Sequence, residues 1–186
     1  KVFAPLVEPE PDASKTEVSK RILRRLFRHR RLQPGAGACS ENPCEQCLAL
    51  HLPRVRRFVL NGEPVHFLLP SFPAKSPNPG KVLGTLPDMA EELALGFLQN
   101  VCREIKEEYA PGARITICSD GRVFSDLVGV SDEDVTEYGR AIVDLLERAG
   151  ATSLDTFDLE DLFADEDKAS MREQLCGHYA DPLPLI

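Results

Sequence analysis

An alternation of β-strand and α-helix patterns over residues 65–157 constrains the fold of this chain more than any other feature. Short apolar runs typical of buried strands stand at Val65–Leu69, Arg114–Cys118 and Leu154–Phe157. Helical patterns fill the two intervals between them, over 87–109 and 131–149. Strands separated by helices of this length form right-handed crossovers and lie parallel in one sheet. The sequence therefore predicts an α/β fold with a mostly parallel sheet and flanking helices.

Both predicted helices have recognisable ends. Pro87 is suited to the first turn of the first helix, and a Pro-Gly pair follows Tyr109. Ser131 is a typical N-cap for the second helix, and Gly150 is a typical residue for its end. The apolar face predicted for the first helix consists of Ala90, Leu93, Ala94, Phe97, Leu98, Val101 and Ile105.

The chain is expected to divide into three parts. Residues 1–13, rich in proline and acidic residues, predict a loose arm. Residues 14–52 predict an N-terminal helical segment: a basic helix opened by a capping box at Ser14–Glu17 and ending near Arg31, then a loop that carries cysteines. Residues 53–186 are assigned to the α/β domain.

Four further assignments complete the predicted secondary structure. Arg56–Leu60 is predicted to be a strand, joined to the next one by a turn at Asn61–Pro64. Ser119–Gly129 is predicted to be a loop. The acidic segment Asp158–Asp167 is expected to lead into a last helix that ends near His178.

Charge and hydropathy exclude two classes of partner. The 186 residues carry a net charge of −8, which argues against a dedicated nucleic-acid-binding protein. No apolar run approaches the roughly 20 residues needed to cross a bilayer. We therefore expect a cytoplasmic protein without nucleic-acid or membrane partners. Because the chain begins at Lys1 rather than Met, we also expect a piece of a longer protein.

The basic residues concentrate near the N-terminus. Residues 1–60 contain 12 Lys and Arg against 6 Asp and Glu. On the predicted N-terminal helix they form a face that either is simply solvated, the commoner case, or receives a phosphate or a partner. That face consists of Arg21, Arg24, Arg25 and Arg28.

The six cysteines fit a reducing compartment better than a disulfide framework. Cys39, Cys44, Cys47 and His51 have the donor types of a tetrahedral zinc site, but their spacing matches no standard zinc finger. The alternative is a loop that carries cysteines and opens a short helix, and no metal is predicted. Small core positions are predicted for Cys102, Cys118 and Cys176.

A charged loop follows the first predicted strand. Pro70 and Pro73 lack an amide donor, so the chain must leave the sheet before Lys75. Lys75 could bind phosphate as a point charge or, if desolvated, act as a neutral amine. Ser76 and Asn78 add neutral donors and acceptors for substrate binding. The alternative is a surface lysine in a Pro-rich connection.

A second charged loop follows the strand that ends at Cys118. Arg122 offers a planar fork that matches a carboxylate or a phosphate. Asp120 and Asp126 could accept protons or orient an amine, or they could only balance the arginine in structural salt bridges. Residues predicted to bind substrate here are Ser119, Gly121, whose lack of a side chain permits close backbone approach, and Ser125.

Ligands of α/β sheets bind where loops leave the carboxyl ends of strands. We therefore expect the ammonium of Lys75 and the guanidinium of Arg122 to face one crevice at the same rim. Two other readings fail. A phosphatase of the haloacid dehalogenase type needs an aspartate at the position of Cys118, and no G-x-G-x-x-G follows a strand, so no dinucleotide cofactor is predicted.

The segments 72–78, 82–90 and 114–134 resemble the isocyanide synthase family, which includes the pyoverdine/dityrosine biosynthesis proteins. The runs Phe-Pro-Ala-Lys-Ser-Pro-Asn and Ile-Cys-Ser-Asp-Gly-Arg-Val-Phe-Ser-Asp carry the resemblance most specifically. It implies a Rossmann-like fold and conversion of the α-amino group of an amino acid into an isonitrile, with ribulose 5-phosphate as carbon donor and no cofactor. The alternatives are an amino-acid N-formylating relative of the dityrosine pathway and a non-catalytic ligand-binding or scaffold module.

The resemblance also suggests roles for the charged loops. Lys75 would form a transient imine with the ketose or protonate its carbonyl, and Arg122 would grip an anionic group. Asp120 or Asp126 would move protons or orient the amine. Family members continue well beyond the equivalent of Ile186, so we expect a truncated, front portion of the catalytic domain, weakly active or inactive alone. It would belong to a longer, multidomain synthase.

Overall fold

The computed structural model describes residues 12–29 and 43–158, together with positions 161, 170, 173, 174 and 177. Most of the predicted arm, Cys39, Cys176 and most of the predicted last helix lie outside the described residues. The elements in chain order are α1 (Ala13–Arg28), α2 (Glu45–Asn61), β1 (Val65–Pro70), α3 (Met89–Glu108), β2 (Ala113–Cys118), α4 (Gly121–Val128), α5 (Asp132–Ala149) and β3 (Leu154–Phe157).

The three strands form one parallel sheet in the order β1-β2-β3. Val65 pairs with Ala113, and Ile115 pairs with Leu154. The parallel register follows from the crossover connections, since a helix separates each strand from the next. The predicted α/β class with a parallel sheet preceded by a basic helix is confirmed.

One face of the sheet carries the core. Along β2, Ile115 and Ile117 are buried, whereas Arg114 between the strand's buried residues is exposed. On β1, Leu68 is 67% exposed. Because alternate side chains of a strand point to opposite faces, the buried positions define the side against which the helices pack. Helices α3 and α5 contact each other, as expected for two right-handed crossovers on one face of the sheet.

The two N-terminal helices belong to the same core. Helix α1 contributes Ile22 and Leu23, α2 contributes Val55 and Val59, and these residues cluster with the buried residues of the strands. Burying each such aliphatic side chain stabilises the fold by about 1.5–3 kcal/mol. Cys102 of α3, 2% exposed, confirms one predicted core cysteine.

The predicted strand at Arg56–Leu60 is wrong, because these residues form the last turns of α2. Val55 and Val59, one helical turn apart, are both buried. Gly62, with φ of 71°, ends the helix in the left-handed conformation, and its amide donates to the last carbonyls. The Asn-Gly pair that suggested a hairpin is therefore a helix C-terminus, and a short apolar run alone does not distinguish the two.

The apolar face predicted for α3 is also partly wrong. Leu93 and Phe97 are 68% and 46% exposed, whereas Leu95, Cys102 and Ile105 are buried. Two apolar stripes run along this helix, and periodicity does not show which of them meets the sheet. The core selects the stripe that contains Leu95.

The helix N-termini differ in part from the predictions. Asp12 caps α1, since its carboxylate accepts from the amides of Ser14 and Lys15 at 2.9 and 3.2 Å, so the capping box predicted at Ser14–Glu17 is wrong. Ser131 caps α5, and its Oγ accepts from the amide of the third helical residue, as predicted. Within the described residues, none of the helices combines the length with the hydrophobicity that a bilayer-spanning segment requires.

Candidate active site

A cavity of about 220 Å³ lies at the carboxyl ends of β2 and β3. Ile117 and Phe157 contribute to its wall from the strands, and Ser119 from the loop after β2. Helix α5 contributes Thr136, Gly139 and other residues three or four positions apart, which form one face of that helix. This is the end of a parallel sheet at which ligands bind in α/β proteins.

The loop after β2 is shorter than predicted, because α4 begins at Gly121. This glycine is buried, and a Cβ atom there would overlap the carbonyl oxygen of Pro73 and lie 2.9 Å from Cγ1 of Val135. Only glycine allows the loop after β1 to approach the start of α4 so closely. The two loops that the sequence singled out therefore do touch.

Arg122 lies in the first turn of α4, is half-buried and lines the cavity. Its Nη2 donates a hydrogen bond to Oγ1 of Thr136 on α5. That hydroxyl in turn donates to the backbone carbonyl of Asp132 at 2.8 Å. The second cation of the cavity wall is Arg140, one turn after Thr136. Helix α5 thus holds one guanidinium and supplies another.

Carboxylates line the same cavity. Asp158 and Asp161 follow β3, and the amide of each donates to the side chain of the other, at 2.9 and 3.3 Å. Because the wall contains both guanidinium and carboxylate groups, it can receive a ligand with charges of both signs.

Phe72 lines the cavity from the loop after β1. Its φ of 56° lies in the left-handed region, which a bulky residue rarely adopts and which costs roughly 1–3 kcal/mol. The close contact between Pro73 and Gly121 holds the backbone of Phe72 in this conformation. The strained residue thus contributes an aromatic wall to the site.

The side chain of Lys75, in the loop after β1, reaches the N-terminus of α3. Lys75 is not among the described residues that line the cavity. Its Nζ is 2.7 Å from Oε1 of Glu91 and 3.1 Å from Oδ2 of Asp88, and its side chain is 10% exposed. Burial alone would lower the pKa of Lys75, but the hydrogen bonds to both carboxylates raise it overall. The hydroxyl of Tyr138 donates to the same Oε1 of Glu91 at 3.3 Å. The structure therefore places the ammonium in an ion-pair cluster rather than in a crevice shared with Arg122.

The cap of α3 belongs to this cluster. Asp88 accepts a hydrogen bond from the amide of Ala90 at 2.8 Å, and Glu91 accepts from the amide of Asp88 at 2.8 Å. The second of these bonds and one from the amide of Glu91 to the side chain of Asp88 form a capping box, so α3 begins after Asp88, two residues later than predicted from Pro87. Lys75 thus ties the loop after β1 to this helix N-terminus.

The remaining predicted residues have different surroundings. Ser76 and Asn78 accept hydrogen bonds from amides two residues further on, at 3.3 and 2.9 Å, and so form local turns.

Ser125, in α4, is 2% exposed, and its Oγ donates to Oδ1 of Asp132 at 3.2 Å. Asp120 is half-buried beside the cavity residue Ser119, and the side chain of Asp126 lies outside the described part of the structure.

Sequence reasoning missed the contribution of α5 to the site. Thr136, Gly139 and Arg140 line the cavity, but the helical pattern did not indicate which face meets the strand ends. One signal was present: an isolated glycine inside a helical pattern, which costs about 1 kcal/mol relative to alanine. Cys44 and Cys47 lie at the start of α2, and within the described ranges no three His, Cys, Asp or Glu residues are grouped to hold a metal ion.

The chain is similar to characterised proteins over most of its length. It is 54% identical over 169 residues to an L-tryptophan isonitrile synthase of Fischerella ambigua, covering 91% of this chain and 51% of the relative. It is 46% identical over 172 residues to an L-tyrosine isonitrile synthase of Pseudomonas aeruginosa, covering 89% of this chain and 52% of that relative. The chain thus spans about half the length of the curated relatives it matches.

The fold agrees with a solved structure. The crystal structure of the PvcA protein from Pseudomonas aeruginosa superimposes with a TM-score of 0.74 at 44% sequence identity, over 89% of this chain and 54% of that protein. The family model described as pyoverdine/dityrosine biosynthesis protein matches residues 55–183, which include the sheet and every residue of the cavity wall. The chain belongs to the pyoverdine/dityrosine biosynthesis protein family.

Proposed function

We propose that this chain is the front portion of an isonitrile synthase that converts the α-amino group of an amino acid into an isonitrile, with ribulose 5-phosphate as the carbon donor. The observation that carries the proposal is the cavity at the strand ends, with guanidinium and carboxylate groups in its wall. It occurs in a chain 54% identical to an L-tryptophan isonitrile synthase. The ketose as donor is inferred from the family resemblance.

The cavity chemistry supports binding of the substrates. An amino acid and a sugar phosphate both carry anionic groups, and Arg122 offers two parallel donors that match a carboxylate or phosphate. The bond to Thr136 fixes the guanidinium in place before a ligand arrives, which reduces the entropy lost on binding. Asp120, beside Ser119, or Asp126 would move protons during condensation of the amine with the ketone.

We assign Lys75 a positioning role instead of an imine-forming one. Imine formation requires a neutral amine, whereas Nζ of Lys75 lies 2.7 Å from Glu91 and 3.1 Å from Asp88, and these two carboxylates favour its charged form. In this role the lysine holds the loop that carries Phe72 against α3.

Mass spectrometry tests the proposed reaction. The chain is incubated with L-Trp, L-Tyr, L-Val or L-Leu and with ribulose 5-phosphate labelled at its ketone carbon, alone and mixed with the second half of the Pseudomonas aeruginosa relative. A labelled isonitrile is expected, more strongly from the mixture. A labelled formamide, which differs from the isonitrile by one water, would instead identify an N-formylating enzyme. Absence of label from every product, in both preparations, would contradict the proposal and favour a non-catalytic module.

A further inference from the structure

We infer that the cavity is the subsite for the amino acid and that Gly139 on α5 sets the size of the amino-acid side chain it admits. This inference rests on the proposed function and deepens it, because it separates the sites of the two substrates. Three observations carry it: the volume of the cavity, the signs of its charges, and the open space beside Gly139.

The volume suits a small ligand. A cavity of about 220 Å³ is smaller than the roughly 300–1,000 Å³ typical of sites for drug-sized ligands, and it matches the size class of a single amino acid. Because the amine must reach the ketone in the proposed reaction, the sugar phosphate would lie next to the amino acid and extend beyond this cavity.

The charges of the wall favour the amino acid. An α-amino acid at neutral pH is a zwitterion, which needs a cation for its carboxylate and an anion for its ammonium. Arg122 and Arg140 supply the first, and Asp158 and Asp161 supply the second. A phosphate monoester carries only negative charge, so it could use the two guanidinium groups but would leave the two carboxylates without a cationic partner.

The apolar part of the wall fits a large side chain. Phe72 contributes an aromatic ring from the loop after β1, Phe157 another from the end of β3, and Val143 an aliphatic group from α5. Aromatic rings pack favourably against other aromatic side chains. The class of ligand is therefore an amino acid with a large apolar or aromatic side chain.

Gly139 lies in the middle of α5 and in the cavity wall. Glycine is among the poorest helix formers, so its presence there calls for a reason. A Cβ atom at this position would meet no atom within 4 Å, so larger side chains would occupy empty space instead of displacing a neighbour. That space is part of the cavity, and the missing side chain leaves it available for the ligand.

The test measures binding of L-Val, L-Tyr, L-Trp and ribulose 5-phosphate to the chain by isothermal titration calorimetry. The variants are Gly139→Ala and Gly139→Leu. The matched controls are Gly96→Ala and Gly96→Leu on α3, where a Cβ also meets nothing within 4 Å and the residue does not line the cavity. All four substitutions improve helix propensity, so each variant is expected to fold.

We expect Gly139→Leu to weaken binding of L-Trp and L-Tyr by about tenfold or more, with Gly139→Ala intermediate, because a few methylene groups in an apolar pocket change affinity by that order. Binding of L-Val should change by less than about threefold, and the Gly96 variants should match the parent chain. Ribulose 5-phosphate should bind equally to all variants or to none.

Several results would overturn the inference. These are equal losses for small and large amino acids, unchanged binding of L-Trp in Gly139→Leu, loss of ribulose 5-phosphate binding in that variant, and no amino-acid binding by the parent chain. These results come from calorimetry, whereas failure of the proposed function would appear in mass spectrometry as the absence of labelled product, so the two failures are distinguishable. Size-selective binding without any product would leave the subsite in place and refute only the reaction.

Discussion

The ammonium nitrogen of Lys75 lies 2.7 Å from Oε1 of Glu91, and the same oxygen accepts a hydrogen bond from Tyr138. One carboxylate of the first turn of α3 therefore joins the loop after β1 to α5. Since that loop carries Phe72 into the cavity wall, this ion pair links stability to the shape of the site. The first prediction follows from that link.

Replacing Lys75 with Met should lower the free energy of unfolding by about 2 kcal/mol, because it leaves Glu91 without its cation. The value lies below the roughly 3–5 kcal/mol typical of a buried pair, since Asp88 is 39% exposed and remains solvated. Urea titration followed by circular dichroism measures the change. Lys81→Met, at an exposed position outside the cluster, is the control. Equal urea midpoints for the two variants would argue against a positioning role for Lys75.

Replacing Glu108 with Gln should weaken the attachment of α1. The carboxylate of Glu108 accepts from Arg25 at 2.7 Å and from Arg21 at 3.0 Å, so it joins α3 to the basic face of α1. Because these groups are partly exposed, we expect a loss of about 1 kcal/mol, and less in high salt. Thermal unfolding at two salt concentrations measures it, with Glu137→Gln on the exposed side of α5 as control.

The ion pairs of Glu108 with Arg21 and Arg25 should make the stability of the chain depend on pH in the acidic range. The hydrogen bonds from Arg25 and Arg21 hold the pKa of Glu108 below its usual value. A carboxyl group with a lowered pKa contributes stability above its unfolded pKa, near 4.3, and loses that contribution as the pH falls through its folded pKa. The stability difference between the parent chain and Glu108→Gln should therefore shrink between pH 6 and pH 3. A difference that stays constant over this range would show that the charge of Glu108 is not responsible.

Replacing Gly121 with Ala should push apart the two loops at the rim of the sheet. The added methyl group would overlap the carbonyl oxygen of Pro73, which belongs to the backbone and has little freedom to move. We expect a loss of about 1–3 kcal/mol, as for other overpacked sites, together with weaker ligand binding. Gly84→Ala is the control, since a Cβ there meets nothing within 4 Å. If Gly121→Ala unfolds at the same urea concentration as that control, the close contact is not needed for the fold.

Replacing Arg122 with Lys should weaken amino-acid binding by about tenfold or more. Lysine keeps the charge but loses the planar fork that binds a carboxylate through two parallel hydrogen bonds. It also loses the fixed bond to Thr136. Calorimetry with L-Tyr or L-Trp measures the affinity, and Arg148→Lys, exposed in the last turn of α5, is the control. Unchanged affinity in Arg122→Lys would exclude this guanidinium from the binding site.

The class of the fold could be predicted because it depends on local patterns. Apolar runs separated by helices of about 20 residues leave few arrangements other than parallel strands with crossovers, and Ser131 and Gly150 mark the ends of α5 through their own backbone and side-chain preferences. The contact between the loop after β1 and Gly121 was not predicted, since the sequence analysis expected this glycine to let the backbone approach a ligand.

The errors occurred where distant parts of the chain choose between local alternatives. Val55 and Val59 suit a strand or a helix equally, and packing against α1 and the sheet selects the helix. Likewise α3 has two apolar stripes, and the position of the sheet selects the one that contains Leu95. Such choices depend on contacts between residues far apart in sequence, which no window of neighbouring residues contains.

The charged residues Lys75 and Arg122 also show the difference between what local sequence patterns determine and what tertiary contacts decide. Strand ends and loop chemistry predicted one crevice shared by Lys75 and Arg122, but the structure places the lysine beside Asp88 and Glu91 and the arginine in the cavity wall. Their surroundings differ because α3 brings Glu91 to the lysine, whereas α5 brings Thr136 to the arginine. The packing of the helices over the sheet therefore determines the partners of Lys75 and Arg122. That packing depends on apolar contacts throughout the core.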